Sequence, residues 1–156
     1  MAIEIERKFL VKGDAWRSWG QGKIYRQGYI LTQNEMTTVR IRIVEDCAFL
    51  TFKAKTKGFS REEFEYSIPL EDAEIILKNL CDYPLIQKIR YRIHLKNLVW
   101  EVDEFQGENE GLILAEVELS SEDQYFELPA WIGEEVTQDL RFYNVNLAKH
   151  PYSIWK

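Results

Sequence analysis

Cysteine and histidine are scarce in this chain. Of its 156 residues only two are cysteine, Cys47 and Cys81, far apart and without CxxC spacing, so neither a disulfide framework nor a thiolate zinc site is indicated. The two histidines, His94 and His150, stand alone with no HExxH around them, which leaves zinc or imidazole chemistry without a foothold. Phosphate-binding loops of the GxxxxGK[ST] and GxGxxG types are absent as well. No stretch is apolar enough for a membrane span, and the acidic start Met1-Ala2-Ile3-Glu4 does not read as a signal peptide, so the expectation is a cytoplasmic protein. Basic residues are outnumbered, 20 Lys and Arg against 26 Asp and Glu, for a formal net charge of −6. That balance argues against non-specific adhesion to nucleic acid or anionic membrane. An anion site would have to be a local concentration of positive charge. No repeat, low-complexity tract or linker interrupts the chain, so one domain over 1–156 with a real core is expected.

What the sequence does have is charge sorted by sign along strands. Alternation of apolar and polar residues marks strands near 2–11, 24–32, 38–45, 48–55, 62–68, 87–95, 98–105 and 112–120. Seven of these carry charges two apart: Glu4-x-Glu6-x-Lys8, Arg40-x-Arg42, Lys53-x-Lys55, Glu63-x-Glu65, Lys88-x-Arg90-x-Arg92, Glu101-x-Asp103 and Glu116-x-Glu118. Residues i and i+2 of a strand share a face, so each set points one way. Like charges roughly 7 Å apart repel by about 2 kcal/mol at an effective dielectric near 20. Carboxylate rows compensated by hard divalent cations, and basic rows compensated by a polyanion, would relieve that repulsion.

Short connections at Val44-Glu45-Asp46-Cys47, Lys57-Gly58 and Lys96-Asn97 predict hairpins, hence a mainly antiparallel sheet. Ala73, Ile76, Leu77 and Leu80 recur at helical spacing behind Pro69, which predicts a helix over 71–82. Weaker helical signals lie at 13–19, at 121–127 behind Ser121-x-x-Gln124, and near 142–149. Eight strands can close into a barrel, which removes exposed edges. The helix and the tryptophans at 16, 19, 131 and 155 need apolar surface to cover, and Val39, Ile41, Ile43, Phe52, Phe64, Ile89, Tyr91, Val102, Ala115 and Val117, alternating with the charges, supply it. The fold class expected is therefore a β-dominated α+β protein: a closed eight-stranded antiparallel barrel, charged inside, with helices packed outside.

Glu4-Ile5-Glu6-Arg7-Lys8 on the first strand, followed in order by Arg40-x-Arg42, Lys53, Glu63-x-Glu65, Lys88-x-Arg90, Glu101-x-Asp103, Glu116-x-Glu118 and Asp139-x-Arg141, resembles the CYTH superfamily of triphosphate tunnel metalloenzymes. The resemblance implies a tunnel holding a linear triphosphate. It assigns Lys8, Arg40, Arg42, Lys53, Lys88, Arg90 and Arg141 to the phosphates. It gives Glu4, Glu6, Glu116 and Glu118 to divalent metal, with Asp103 and Glu101 assisting. Two Mg2+ or Mn2+ ions per site are implied, one orienting the substrate and one activating water. Lys88 and Tyr29, the latter from the segment Arg26-Gln27-Gly28-Tyr29, are the candidates for proton transfer. Lys55 and Arg92 are either rim residues or ligands, Glu63 and Glu65 either ligands or salt-bridge buffers for the basic strand, and Arg61 is expected at the surface. The small bacterial inorganic triphosphatases are the nearest pattern, which implies hydrolysis of tripolyphosphate to pyrophosphate and phosphate. A class IV adenylyl cyclase, a thiamine or nucleoside triphosphatase and a non-catalytic polyphosphate-binding module stay open beside it. The expected partner is a small-molecule triphosphate, without nucleic acid or membrane, and a homodimer is compatible with the tryptophan-rich exterior.

Overall fold

The computed structural model describes residues 2–33, 37–82 and 84–155. Its strands are β1 (Ala2–Val11), β2 (Gly22–Ile30), β3 (Thr37–Val44), β4 (Cys47–Ala54), β5 (Ser60–Ile68), β6 (Ile86–Leu95), β7 (Leu98–Phe105), β8 (Ile113–Glu118) and β9 (Ile132–Glu135), with helices α1 (Leu70–Asn79) and α2 (Asn144–Lys149). Hydrogen bonding runs β5-β4-β3-β2-β6-β7-β8-β1, and β1 pairs with β5 as well, which closes an eight-stranded antiparallel barrel. β1 closes it by changing partners: Ala2 to Ile5 lie against β5, Glu6 to Leu10 against β8, and its far end takes on the extra strand β9. The predicted hairpins form. Glu45, Lys96, Asn97 and Gly58 all adopt positive φ, as tight connections between twisted strands require.

The main cores lie outside the barrel wall. Ala73 and Leu77 of α1 pack with Ile41, Ile43 and Ala48. Gly28 makes the close approach of the following segment possible, because a Cβ there would stand 2.8 Å from Leu85 Cδ2 and 2.9 Å from Cys81 Cβ. A second core joins Trp16, Trp131, Ile132 and Leu119 to Phe9, Trp100, Val102, Ala115 and Val117.

The inner face changes character along its length. Continuing the alternation, Leu10 follows Lys8, Leu114 precedes Glu116, Phe105 follows Asp103 and Ile86 precedes Lys88. Leu114, Phe105 and Ile86 cluster with Phe142, Leu147 and Ala148 of the C-terminal segment, with Leu10 packed against them. One end of the bore is thus filled by apolar side chains and floored by the start of α2, while the rest stays polar.

The structure departs from the sequence reading at four places. The segment 121–127 is not a helix. Gln124 Oε1 does accept from the Ser120 backbone N–H, but Phe126 turns away to pack edge-on to Phe9 and Trp100, and that burial outweighs helix propagation. β9 was not anticipated, since Ile-Gly-Glu-Glu has too few apolar residues to show alternation. Trp19 is 56% exposed and covers no core. The signal at 13–19 becomes a single 3₁₀ turn, Ala15–Ser18, that buries Trp16.

Candidate active site

The bore contains a cavity of about 280 Å3 whose lining includes seven basic residues, Lys8, Arg40, Arg42, Lys53, Arg61, Lys88 and Arg90, and seven acidic ones, Glu4, Glu6, Glu63, Glu65, Glu101, Glu116 and Glu118. Tyr29, Phe59, Tyr143, Asn144 and Thr137 also line it. Because the two signs balance, a polyanion entering alone would leave the wall with excess negative charge. A divalent cation entering with it restores neutrality.

Sign is zoned within the cavity by strand order. β1 and β8 stand side by side with Glu6 opposite Glu118 and Lys8 opposite Glu116, so the acidic rows form one panel. β2, β3 and β6 are neighbours on the far side, where Arg40, Arg42, Lys88 and Arg90 gather. Arg42 and Arg90 both lie over the Tyr25 ring, at 5.1 and 5.0 Å. Burial and the neighbouring Arg40 and Arg90 push the Arg42 guanidinium down to about 10. Arg40 is 5% exposed, and its Nε is the one buried side-chain donor without a hydrogen-bond partner among the described residues. Such an unmet donor costs free energy unless something supplies an acceptor, and a phosphate oxygen would.

The acidic panel fits hard cations in its chemistry. Glu6 is held well above the usual carboxylate range by burial and by the charges of Glu116 and Glu4. Burial works the same way on Glu116, but Lys8, Arg90 and Lys88, with a hydrogen bond from Glu6, hold it well below that range. Glu118 is pushed up by partial burial and by Glu4, Glu101 and Glu63. Carboxylates that must share protons lack positive charge, which a divalent ion would provide. Glu4 is turned instead to Lys53 Nζ at 3.1 Å and Arg61 Nε at 3.3 Å. No group of three metal-binding side chains is gathered into a ready coordination sphere among the described residues. Glu4, Glu6, Glu116 and Glu118 are the residues that would hold metal, with Glu4 changing partners to do so.

Two expected site residues are placed elsewhere. Asp103 is 1% exposed and doubly engaged: it accepts from Arg90 Nε at 2.7 Å and Nη2 at 2.8 Å, and forms an ion pair with Lys88 Nζ at 2.9 Å. It sits as the counter-ion of the basic wall and is not among the residues lining the cavity. Arg141 lies outside the cavity, exposed, paired with Asp139 and stacked on Phe142 and Trp155. Arg61 is displaced in the opposite sense, since it lines the cavity against Glu4 and Tyr143 rather than facing solvent. Glu63 and Glu65 pair with Lys53 and Arg40, the buffering arrangement. Lys55 and Arg92 are exposed.

Lys88 sits at the base of the basic zone. Burial lowers its ammonium most. Asp103 pulls it back up, Arg90 and Arg42 push it down again, and the balance leaves it at about 7. Its Nζ also donates to Asn144 Oδ1 at 2.8 Å. Tyr29 is 5% exposed and lines the same region. Around these stand residues that the charge pattern could not mark: Gln27, Thr51, Thr137, Tyr143 and Asn144. Thr137 Oγ1 accepts from the Lys8 backbone N–H, and Lys8 Nζ donates to the Phe142 carbonyl.

Closed antiparallel barrel and sign-zoned bore together define a class, the β-tunnels built to hold a polyanion alongside cations. The CYTH domain model matches residues 2–152, and the chain belongs to that family. It is 49% identical over 156 residues to the inorganic triphosphatase of Acetivibrio thermocellus, covering 100% of this chain and 99% of that protein. With the inorganic triphosphatase of Nitrosomonas europaea it shares 37% identity over 152 residues, 93% of this chain and 96% of the relative. A crystal structure of an inorganic triphosphatase superposes with a TM-score of 0.65 at 35% identity, covering 95% of each chain. A putative adenylate cyclase from Bacillus halodurans shares the fold, with a TM-score of 0.62 over 79% of this chain and 84% of the other, at 18% identity.

Proposed function

We propose that this protein is a cytoplasmic, Mg2+- or Mn2+-dependent inorganic triphosphatase that hydrolyses tripolyphosphate to pyrophosphate and phosphate within the bore. The observation that carries the reading is the enclosed basic wall with an unmet Arg40 donor, facing a carboxylate panel short of positive charge. Identity of 49% along the whole chain with an inorganic triphosphatase supports it. In this reading Arg40, Arg42, Lys53, Arg90 and Lys8 grip the phosphate oxygens. Arg61 guards the side nearest Glu4. Lys88, neutral for much of the time near pH 7, takes the proton of the attacking water at Nζ. Tyr29 donates its O–H to a phosphate oxygen. Glu4, Glu6, Glu116 and Glu118 would hold a divalent metal, which would supply charge neutralisation and activation of water. Asp103 keeps Arg90 and Lys88 in place.

A nucleotide substrate is less well served. Tyr29, Phe59 and Tyr143 are the aromatic side chains lining the cavity, but Gln27 holds the Tyr29 hydroxyl, Arg7 lies over the Phe59 ring at 5.3 Å, and the Tyr143 ring carries Lys8 Nζ at 5.0 Å and Arg61 at 5.6 Å. The test is a substrate panel in which phosphate and cyclic nucleotide are both measured. Phosphate from tripolyphosphate with Mg2+ is the expected result; cyclic nucleotide from ATP with little phosphate would overturn it. A ligand that binds only the folded state stabilises it, by about 2.7 kcal/mol at 100 times its Kd. Tripolyphosphate with Mg2+ should therefore raise Tm by roughly 5–11 °C, at about 2–4 °C per kcal/mol for a chain of this size. No shift at saturation, read by calorimetry, would count against a site in the bore.

Glu116→Gln should raise the Mg2+ concentration needed for half-maximal rate by roughly 10–100-fold. A titration of rate against Mg2+ that matches the unaltered protein would remove Glu116 from the metal set.

A further inference from the structure

Gln27 is 0% exposed and does not touch the cavity, yet its amide reaches three groups that line it, Arg42, Tyr29 and Asn144. Its orientation is forced. Arg42 Nε, which can only donate, lies 3.0 Å from Gln27 Oε1, so the amide oxygen must face it. The Nε2 hydrogens are then directed the other way, to the Tyr29 hydroxyl oxygen at 2.8 Å and Asn144 Oδ1 at 3.3 Å. Asn144 is fixed by the same logic, since Lys88 Nζ donates to that oxygen at 2.8 Å. One amide thus ties Tyr29 directly, and Lys88 through Asn144, to the anchored guanidinium of Arg42.

We propose that Gln27, with Asn144 as its relay, is the positioning residue that sets the direction of the Tyr29 hydroxyl and of the Lys88 amine toward bound triphosphate. By occupying the Tyr29 oxygen with a donor, Gln27 leaves the phenolic proton for an acceptor in the cavity. A residue that offered an acceptor there instead would draw that proton inward and away from the substrate. Asn144 begins α2, so the same relay holds the floor of the bore in register with the basic wall. Arg42 keeps a second support in the Tyr25 ring, so loss of the amide should disturb orientation more than phosphate grip.

This inference rests on the triphosphatase reading, and the experiment separates the two. Phosphate release from tripolyphosphate with Mg2+ is measured for the unaltered protein, Gln27→Met, Tyr29→Phe and the double variant. No release by the unaltered protein sinks the functional reading itself. If it is active, Gln27→Met should lower kcat roughly 10–100-fold while KM moves less than about threefold. In the Tyr29→Phe background the same change should cost less, because only the path through Asn144 to Lys88 is left for it to disturb. Unaltered kcat in Gln27→Met, or an equal loss in both backgrounds, overturns the proposal. Should Gln27→Met fail to fold, Asn144→Ala carries the test. Its side chain lies on the cavity wall, and the backbone bonds that Tyr143 O accepts from Asn146 and Leu147 remain. A drop in kcat of roughly 10-fold, with KM held, is expected; unchanged kcat there would equally overturn the relay.

Discussion

Asp103→Ala is expected to destabilise the fold by about 3–5 kcal/mol, the usual cost of stripping one partner from a buried ion pair. At about 2–4 °C per kcal/mol this lowers Tm by roughly 6–20 °C. The size follows from what Asp103 does. It holds Arg90 by two hydrogen bonds and Lys88 by an ion pair, and all three groups are almost wholly removed from water. Without it Arg90 is left with longer contacts to Glu116 and Glu101, both at 3.3 Å, and Lys88 with the Asn144 amide oxygen. Calorimetry measures the loss, and titration of the residual activity with Mg2+ gives a second reading. Asp103 as counter-ion predicts a large fall in Tm with an unchanged Mg2+ requirement. A small change in Tm with a raised Mg2+ requirement would return Asp103 to the metal set.

The second large effect is on rate. Lys88→Met is expected to lower kcat by roughly 10²–10⁴, the usual contribution of a positioned proton acceptor. Stability should change little, because the charge removed is one that burial penalises and Asp103 keeps its two bonds from Arg90. The pH dependence follows from the same shift. An ordinary lysine stays charged to about 10.4, whereas Lys88 releases its proton near 7 in the folded protein. Below pH 7 it already carries the proton that it must accept, so kcat/KM should rise with pH and level off above about 7. Lys88→Met should lose that inflection. For stability, the unfolded chain binds this proton up to its ordinary pKa while the folded one gives it up near 7, so across that window the Lys88 contribution becomes more favourable as pH rises. An inflection that survives in Lys88→Met would assign it to another group.

The charged rows were legible because a strand imposes a period of two and nothing else in a soluble protein places like charges so regularly on one face. The same regularity hid the exceptions. Asp103 sits in the acidic pattern, but its strand neighbour Arg90 lies directly opposite, and cross-strand pairing turns it into a counter-ion. Arg141 follows the pattern in order, yet its partner Asp139 is two residues away in the same loop and Trp155 offers its ring, so local contacts hold it outside. Arg61 belongs to no couplet and gave no signal, although closure of β5 against β1 sets it beside Glu4. Gln27 and Asn144 are uncharged, and only coordinates bring the two together across 117 positions of sequence.

The apolar end of the bore, where Leu114, Phe105 and Ile86 meet α2, makes the site a dead-end sleeve rather than a thoroughfare. A linear phosphate chain must slide in tip first, and only its leading groups come level with Lys88. Whatever is cut off inside has to back out through the opening by which the next molecule arrives. Traffic in a single doorway of this kind would tie turnover to how fast spent anions depart.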